Sequence, residues 1–329
     1  MPDLFEILSK LTGAFGPSGR EDEISRAICE LSKPYSDGVY TDALGNLIVR
    51  KKGNGKKIML SAHMDTIGFA VTYIEESGLI RFGAVGGLDR EQLAGARVRF
   101  SNGVKGVLSF EEKMDAKDRT LNHFFIDIGA RSKTEAEKAV KIGDFAVFDG
   151  TEVLNGDSLI SRYLDNRLGC AVLITALSGI KSTKNDLYFV FSSQEEVGLR
   201  GAQTAAFQIN ADMALAVDVT STGDLPGLKD KMAVKLGEGP AVKIADRSVI
   251  CSPDVSELLR RNAESLKIKV QNEIMMAGGT DAGAIQRSRN GVLTGGVSIP
   301  TRYIHTPNEM ASLSDSVDAA RLIAYTVSR

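Results

Sequence analysis

The clearest indication of the fold is the segment KIMLSAHMD at residues 57–65. Its apolar residues form a continuous run, which is typical of a strand buried on both faces of a sheet, and the run leads directly into His63 and Asp65. Similar strand-like runs at 186–191 and 213–219 are separated by segments with helical spacing. Strands that alternate with helices predict an α/β fold in which helices cover a mostly parallel sheet.

Helices are predicted on both sides of these strands. Apolar residues recur at helical spacing from residue 4 to 11, and Ser18 followed by Glu21 predicts a capping box that opens a second helix. The other predicted helices cover 168–177, 199–207, 253–266 and 314–327, and two more strands are predicted over 267–271 and 291–298.

The pattern of residue types changes between residues 67 and 160. Short runs of β-branched and aromatic residues alternate there with glycine turns, as expected for a compact β-rich domain. The runs lie at 69–74, 79–82, 97–100, 106–110, 124–128 and 145–148. We therefore expect an inserted domain at 67–160, which divides the main domain into residues 1–66 and 161–329.

Composition excludes several classes of protein. The chain has 329 residues, of which 43% are hydrophobic, so it has enough apolar residues for a core. Its formal net charge is −2 with no basic stripe, which argues against binding to nucleic acid or to an anionic membrane surface. The three cysteines have no CxxC spacing, and the sequence shows neither a signal peptide nor an apolar run long enough to span a bilayer. The sequence predicts a soluble cytoplasmic protein.

Histidine and carboxylate residues follow the predicted strands, where ligands bind in α/β folds. The residues concerned are His63, Asp65, Asp165, Glu195, Glu196, Asp218 and His305. Alone, each has an ordinary explanation: a histidine packed in the core, a helix cap at Asp165, or a solvated turn at Glu195 and Glu196. Together, imidazoles and carboxylates without a thiolate favour a catalytic zinc or cobalt centre. The adjacent glutamates would point apart, so one can bind metal while the other acts as a general base.

Seven short strings occur in an order that identifies a family. They are FGPSG at 15–19, AHMD at 62–65, GGLD at 86–89, YLDNR at 163–167, QEEVG at 194–198, GTDA at 279–282 and YIHTP at 303–307. Over essentially its whole length the chain resembles the dinuclear metallo-aminopeptidases that include glutamyl aminopeptidase and the tetrahedral aminopeptidases. Some proteins of this group carry an endoglucanase label.

The resemblance implies a role for each residue of this set. His63 and Asp218 would hold one metal ion, Glu196 and His305 the other, and Asp165 would bridge the two. Asp65 would support His63, and Glu195 would be the general base. The implied fold is a phosphorylase/hydrolase-like α/β domain interrupted by a β-barrel-like dimerisation domain, and family members often form dodecamers.

The substrate pocket is predicted from the resemblance and from closeness in the chain to His305. Its residues would be Gly279, Thr280, Asp281 and Arg302. Two positions depart from the family pattern: Thr66 stands where an acidic residue is expected, and Leu88 where an aromatic one is common. Because Thr66 is close in the chain to His63, it bears on substrate or metal preference.

The predicted function is hydrolysis of the N-terminal residue of short peptides by two divalent ions, zinc or cobalt. A metal-dependent carboxypeptidase or deacylase is the alternative, because metal ligands alone do not say which end of the substrate is held. An endoglucanase is disfavoured, since glycoside hydrolysis usually needs no metal and the chain has no tryptophan on which a sugar ring could stack. A non-catalytic assembly protein is disfavoured because Glu195, which would bind no metal, is present. The preferred side chain and the choice of metal stay open.

Overall fold

The computed structural model describes residues 3–113, 115–227 and 232–329. The α-helices of the described chain are α1 Leu4–Gly13, α2 Asp22–Ser32, α3 Lys133–Ala139, α4 Leu164–Gly179, α5 Arg200–Ile209, α6 Pro253–Leu266, α7 Asp281–Gln286 and α8 Leu313–Val327. The strands are β1 Gly38–Thr41, β2 Leu47–Lys51, β3 Lys57–His63, β4 Gly68–Ile74, β5 Ile80–Val85, β6 Arg97–Phe100, β7 Lys105–Phe110, β8 Phe124–Asp127, β9 Phe145–Phe148, β10 Val153–Asn155, β11 Ser158–Ser161, β12 Asp186–Ser192, β13 Met213–Thr220, β14 Ala241–Ala245, β15 Gln271–Ile274, β16 Leu293–Arg302 and β17 Glu309–Ser312.

A mixed sheet of 11 strands forms the centre of the main domain, in the order β1-β2-β12-β3-β13-β16-β17-β11-β10, with β14 paired to β16 and β15 paired to β14. Strands β12, β3, β13 and β16 are mutually parallel, whereas the strands toward both edges are antiparallel. Helices cover both faces: Leu60 packs in a core cluster with α4 and α8, while Met59 packs in another with α5 and α7. This arrangement explains the continuous apolar run of β3 and confirms the predicted α/β fold with its mixed sheet.

The β-rich segment forms a closed barrel with strand order β4-β5-β8-β7-β6-β9. Each of the six predicted runs overlaps one of these strands. The barrel is filled by aromatic side chains, with the Phe69 ring centroid 5.0 Å from that of Phe82 and 5.2 Å from that of Phe148, both in edge-on contact. The predicted barrel is therefore confirmed as part of the fold.

Two short strands after the barrel belong to the large sheet. β10 pairs with β11, and β11 pairs with β17 near the C-terminus. Residues 153–160 are thus hydrogen-bonded to the main domain through its edge, although the sequence analysis placed them in the insertion. The division at 66/67 and 160/161 stays a prediction. Among the described residues, none of the helices is both long enough and apolar enough to cross a membrane.

The predicted capping box is wrong. Helix α2 begins at Asp22, and none of the described side chains caps its amino end. The Ser18 hydroxyl instead donates to Asp65 at 2.6 Å, while Glu21 accepts from the backbone N–H groups of Gly19 and Gln194 at 2.7 and 3.1 Å. Both side chains therefore tie the N-terminal loop to residues beside the predicted site.

A buried arginine anchors the same loop. Arg167 of α4 is 1% exposed and donates to the carbonyl oxygens of Leu11 and Gly16 at 3.1 and 3.2 Å. Burial lowers the pKa of Arg167 to about 10, so the side chain stays charged at neutral pH. Because a hydrogen bond from a charged group contributes about 1.5–3 kcal/mol, we expect Arg167→Met to lower the free energy of unfolding by about 2–3 kcal/mol.

Urea-induced unfolding at a fixed metal concentration measures this loss. Arg26→Met is the matched control, because Arg26 is exposed on the neighbouring helix α2 and should change stability by less than about 0.5 kcal/mol. Equal urea midpoints for the two variants would contradict the anchoring role of Arg167.

Candidate metal centre

A cavity of about 540 Å³ opens at the carboxyl ends of β3, β12 and β13. The structure brings six of the seven predicted histidine and carboxylate residues into its wall: His63, Asp165, Glu195, Glu196, Asp218 and His305. They come from separate parts of the chain. His63 ends β3, Asp165 lies at the start of α4, and Asp218 lies in β13. Glu195 and Glu196 lie in the loop after β12, and His305 lies in the loop between β16 and β17. The sheet topology gathers them as the strand-end pattern predicted.

His63 is buried and directs its Nε2 atom into the cavity. That atom lies 3.0 Å from Asp165 Oδ1, 3.7 Å from Asp218 Oδ1 and 3.8 Å from Glu195 Oε2. The other ring nitrogen, Nδ1, lies 3.2 Å from the backbone carbonyl oxygen of Asp65. This backbone contact fixes the orientation of the ring, as outer contacts commonly do for metal-binding histidines.

Asp165 faces two imidazoles with its two carboxylate oxygens. Oδ1 points toward His63, while Oδ2 lies 3.3 Å from His305 Nε2. Burial raises the pKa of Asp165, but hydrogen bonding to His305 and His63 outweighs it and holds the pKa below its usual range. The carboxylate is therefore ionised and shared between the two halves of the cluster.

His305 and Glu196 form the second half of the cluster. His305 Nε2 lies 3.2 Å from Glu196 Oε2, and the other carboxylate oxygen of Glu196, Oε1, is buried and has no hydrogen-bond partner among the described residues. Gly87 lies against the same imidazole, since a Cβ atom at that position would be 3.1 Å from His305 Nδ1. A buried carboxylate oxygen without a partner is costly unless a cation completes its environment.

The charges in the cavity also favour bound cations. Burial raises the pKa of Glu195 well above its ordinary value, and the nearby carboxylates of Asp218 and Glu196 raise it further against the opposing effect of His63. Burial likewise raises the pKa of Asp218 to about 7. Divalent ions would relieve this crowding of carboxylates.

Two groups of side chains are close enough to hold an ion. In each group the ligand atoms all lie within 4.8 Å of one another; the groups are His63, Asp165 and Glu196, and His63, Glu195 and Asp218. The donor set of imidazole and carboxylate suits zinc, cobalt and similar divalent metals. The second group includes Glu195, which the sequence analysis leaves free as a base.

Asp65 lies directly behind the cluster and is fully buried. Its side chain is 3.6 Å from His63 Nδ1, beyond hydrogen-bond distance, whereas its two oxygens accept from the backbone N–H groups of Glu195 and Glu196 at 3.0 and 3.2 Å. The Asp65 carboxylate therefore positions the pair of glutamates, and its backbone positions His63.

Sequence reasoning missed Glu309, which links two of the candidate ligands. Its Oε2 accepts from the backbone N–H of Asp165, and its Oε1 accepts from that of His305, both at 2.8 Å. Glu309 is 1% exposed at the start of β17. The one sequence signal that could have indicated this role is its position four residues after His305. A single glutamate at that spacing does not distinguish a buried residue that positions ligands from a residue on the surface.

We expect Glu309→Ala to lower metal affinity or kcat by about 10–100-fold, because residues that orient ligands typically contribute that much. Calorimetric titration of the metal-free variant with zinc measures the metal affinity. The matched control is Glu257→Ala on helix α6, where the side chain is 59% exposed. Wild-type zinc affinity in Glu309→Ala would contradict the positioning role.

The four predicted substrate-binding residues occupy different environments. Gly279 lines the cavity, whereas Thr280 and Asp281 are almost completely buried. Asp281 accepts from the hydroxyl groups of Ser61 and Ser192 at 2.6 and 2.5 Å. Arg302 forms an ion pair with Asp224 at 2.7 Å.

The two positions that depart from the family pattern lie in the packing around the site. The backbone N–H of Thr66, a buried residue, donates to the carbonyl oxygen of Gly16 at 3.1 Å. Leu88 is partly buried and packs against the core of the barrel.

An α/β fold with imidazoles and carboxylates gathered at the ends of parallel strands defines the class, a metal-dependent hydrolase. The sequence model of the M42 glutamyl aminopeptidase family matches residues 45–322. The chain belongs to the peptidase M42 family and is a metal-dependent aminopeptidase of that family.

Related proteins share nearly the full length of the chain. A protein of Acetivibrio thermocellus whose name provisionally calls it an aminopeptidase is 53% identical, covering 99% of this chain and 98% of its own. The lysyl aminopeptidase of Pyrococcus furiosus is 33% identical, covering 97% of this chain and 95% of its own.

Solved structures show the same fold. The aminopeptidase APDkam598 of Desulfurococcus kamchatkensis has a TM-score of 0.95 and 38% identity, covering 99% of this chain and 94% of that one. The TET1 peptidase of Pyrococcus horikoshii, which can assemble into a tetrahedron or a large octahedral shell, has a TM-score of 0.87 and 35% identity, covering 98% of this chain and 99% of that one. A Thermotoga maritima protein named as an endoglucanase has a TM-score of 0.83 and 33% identity, covering 97% of this chain and 96% of that one.

Proposed function

We propose that this aminopeptidase works with two divalent ions, zinc or cobalt, held at the cluster around Asp165. His63 and Asp218 would hold one ion, Glu196 and His305 would hold the other, and Asp165 would bridge them. The observation that carries this proposal is the division of the Asp165 carboxylate, whose oxygens face two different imidazoles at 3.0 and 3.3 Å. A carboxylate with both oxygens engaged in this way is suited to join two ions.

Glu195 is the proposed general base. When bound, the ions supply Lewis acidity that lowers the pKa of water and polarises the substrate carbonyl. Glu195 lies 3.8 Å from His63 Nε2, at the cavity wall, where it can accept the proton of the attacking water. The same carboxylate can then return the proton to the departing amine.

The proposed substrates are short peptides, cleaved at the N-terminal residue. A carboxypeptidase or deacylase would use the same ligands, and the endoglucanase name of one structural relative raises glycoside hydrolysis as a further alternative. Glycosidases rely on a general acid and a second carboxylate and usually need no metal, so the crowded imidazole and carboxylate cluster supports the peptidase.

A short peptide with the sequence Leu-Ala-Ala-Phe distinguishes an aminopeptidase from a carboxypeptidase and from a deacylase. Mass spectrometry of the products with metal-loaded enzyme should show release of leucine from the free peptide and no cleavage of the N-acetylated peptide. Release of phenylalanine before leucine, leaving Leu-Ala-Ala, would indicate a carboxypeptidase, and release of acetate from the N-acetylated peptide would indicate a deacylase; either result would contradict the proposal.

We also propose that the chain forms a homo-oligomer, and specifically a tetrahedral dodecamer assembled through the barrel. The assembly of the Pyrococcus horikoshii relative supports this proposal, as does the closed barrel that stands outside the main sheet. The proposed location is the cytoplasm, which three free cysteines support. Light scattering on the purified protein should give the mass of twelve chains; the mass of a single chain would contradict the assembly.

A further inference from the structure

Among the described residues, the wall of the cavity beyond the metal cluster carries no charged side chain. Apart from the six cluster residues, the described residues that line the cavity are apolar, hydroxyl-bearing or glycine. The apolar side chains are those of Leu199, Val219, Met275, Ala277 and Ile304. A substrate side chain that enters this part of the cavity therefore meets mainly aliphatic surface.

A buried lysine next to the cavity is paired with carboxylates rather than presented to the substrate. Lys243 is 2% exposed behind the cavity wall, and its ammonium group forms ion pairs with Glu273 and, at 3.2 Å, with Asp246. Two carboxylates thus offset its single charge. Glu273 Oε1 also accepts from the Thr220 hydroxyl at 3.0 Å, so the polar group at the wall is engaged as well.

A second cation near the site is also paired. The guanidinium group of Arg302 donates two hydrogen bonds to Asp224, at 3.2 and 2.7 Å. Neither Lys243 nor Arg302 is therefore free to bind an acidic substrate side chain. The Asp224 carboxylate is likewise paired with Arg302, and Glu273 is fully buried, so neither is presented to a basic side chain.

From this geometry we propose that the enzyme prefers peptides whose N-terminal side chain is apolar, such as leucine or methionine, over those that begin with glutamate or lysine. The inference rests on the proposed function, because it concerns the residue that is released. An aliphatic side chain gains from burial against the wall, whereas a charged side chain loses hydration without finding a partner. This preference for an apolar residue would differ from the glutamyl preference in the description of the family. It would also differ from the lysyl preference in the name of the Pyrococcus furiosus relative.

Aminoacyl-p-nitroanilides of leucine, methionine, glutamate and lysine test the preference with metal-loaded enzyme. We expect kcat/KM for leucine and methionine to exceed that for glutamate and lysine by at least about tenfold, the usual range for contacts in an apolar pocket. Equal or higher values of kcat/KM for glutamate or lysine would overturn the inferred preference, but would still agree with the proposed aminopeptidase function. No hydrolysis of any of the four would overturn the proposed function, and this inference with it.

A matched pair of variants tests whether this wall contacts the substrate side chain. Ala277 is exposed and lines the cavity, so Ala277→Lys and Ala277→Met introduce side chains of similar length that differ in charge. We expect Ala277→Lys to raise the ratio of kcat/KM for glutamate to that for leucine by about tenfold over Ala277→Met. The same ratio in both variants would show that this wall does not contact the substrate side chain, and would overturn the inference.

Discussion

Replacing Glu195 by Gln is expected to lower kcat by about 10²–10⁴-fold while the bound metal is retained. The amide has the shape of the carboxylate but cannot take a proton from water. The Glu195 carboxylate is held in place from behind, because its backbone N–H donates to Asp65 at 3.0 Å. The substitution therefore removes the proposed base and leaves its surroundings in place.

Steady-state kinetics together with metal analysis after dialysis measures both effects. Glu196→Gln is the matched control at the adjacent position, and it should lower the number of bound ions because Glu196 faces His305 at 3.2 Å. Near-normal kcat in Glu195→Gln would show that this residue is not the base. Loss of an ion from Glu195→Gln would show instead that it is a ligand, as its place beside His63 and Asp218 allows.

Replacing Asp165 by Ala is expected to remove both ions and to reduce activity to the background of the assay. The reason is that its two oxygens serve the His63 half and the His305 half of the cluster. The metal-free variant lacks one negatively charged ligand and the carboxylate that faces both imidazoles, so the ions should not rebind at micromolar concentrations.

His305→Ala is the comparison that isolates the bridge. It should lose one ion and keep the other, because the group of Asp218, His63 and Asp165 is untouched. Elemental analysis of both variants after identical dialysis gives the number of ions per chain. Two ions retained in Asp165→Ala would contradict the bridging role.

The features that sequence predicted best are those with a local physical signature. The six runs between residues 69 and 148 were recognised because each is short, β-branched or aromatic, and bounded by turn residues. The candidate ligands were recognised because parallel strands deliver their carboxyl ends to one edge, which brings His63, Glu195 and Asp218 together.

The features that sequence did not predict depend on distant partners. Glu309 binds a backbone group 144 residues away, and Ser18 binds Asp65 rather than its own helix. The strand predicted at 267–271 begins instead at Gln271, because Lys267 has a left-handed backbone and ends helix α6. Strands β10 and β11 acquire their sheet only through β17, near the other end of the chain.

In the proposed mechanism, a centre of two ions is required for peptide hydrolysis. The most direct test of this requirement is to remove metal by chelation, add back zinc or cobalt in steps, and record leucyl-p-nitroanilide hydrolysis against the number of ions bound per chain. We expect no hydrolysis without metal and full activity when two ions are bound. Full activity with one ion, or any substantial activity in the metal-free protein, would contradict this mechanism.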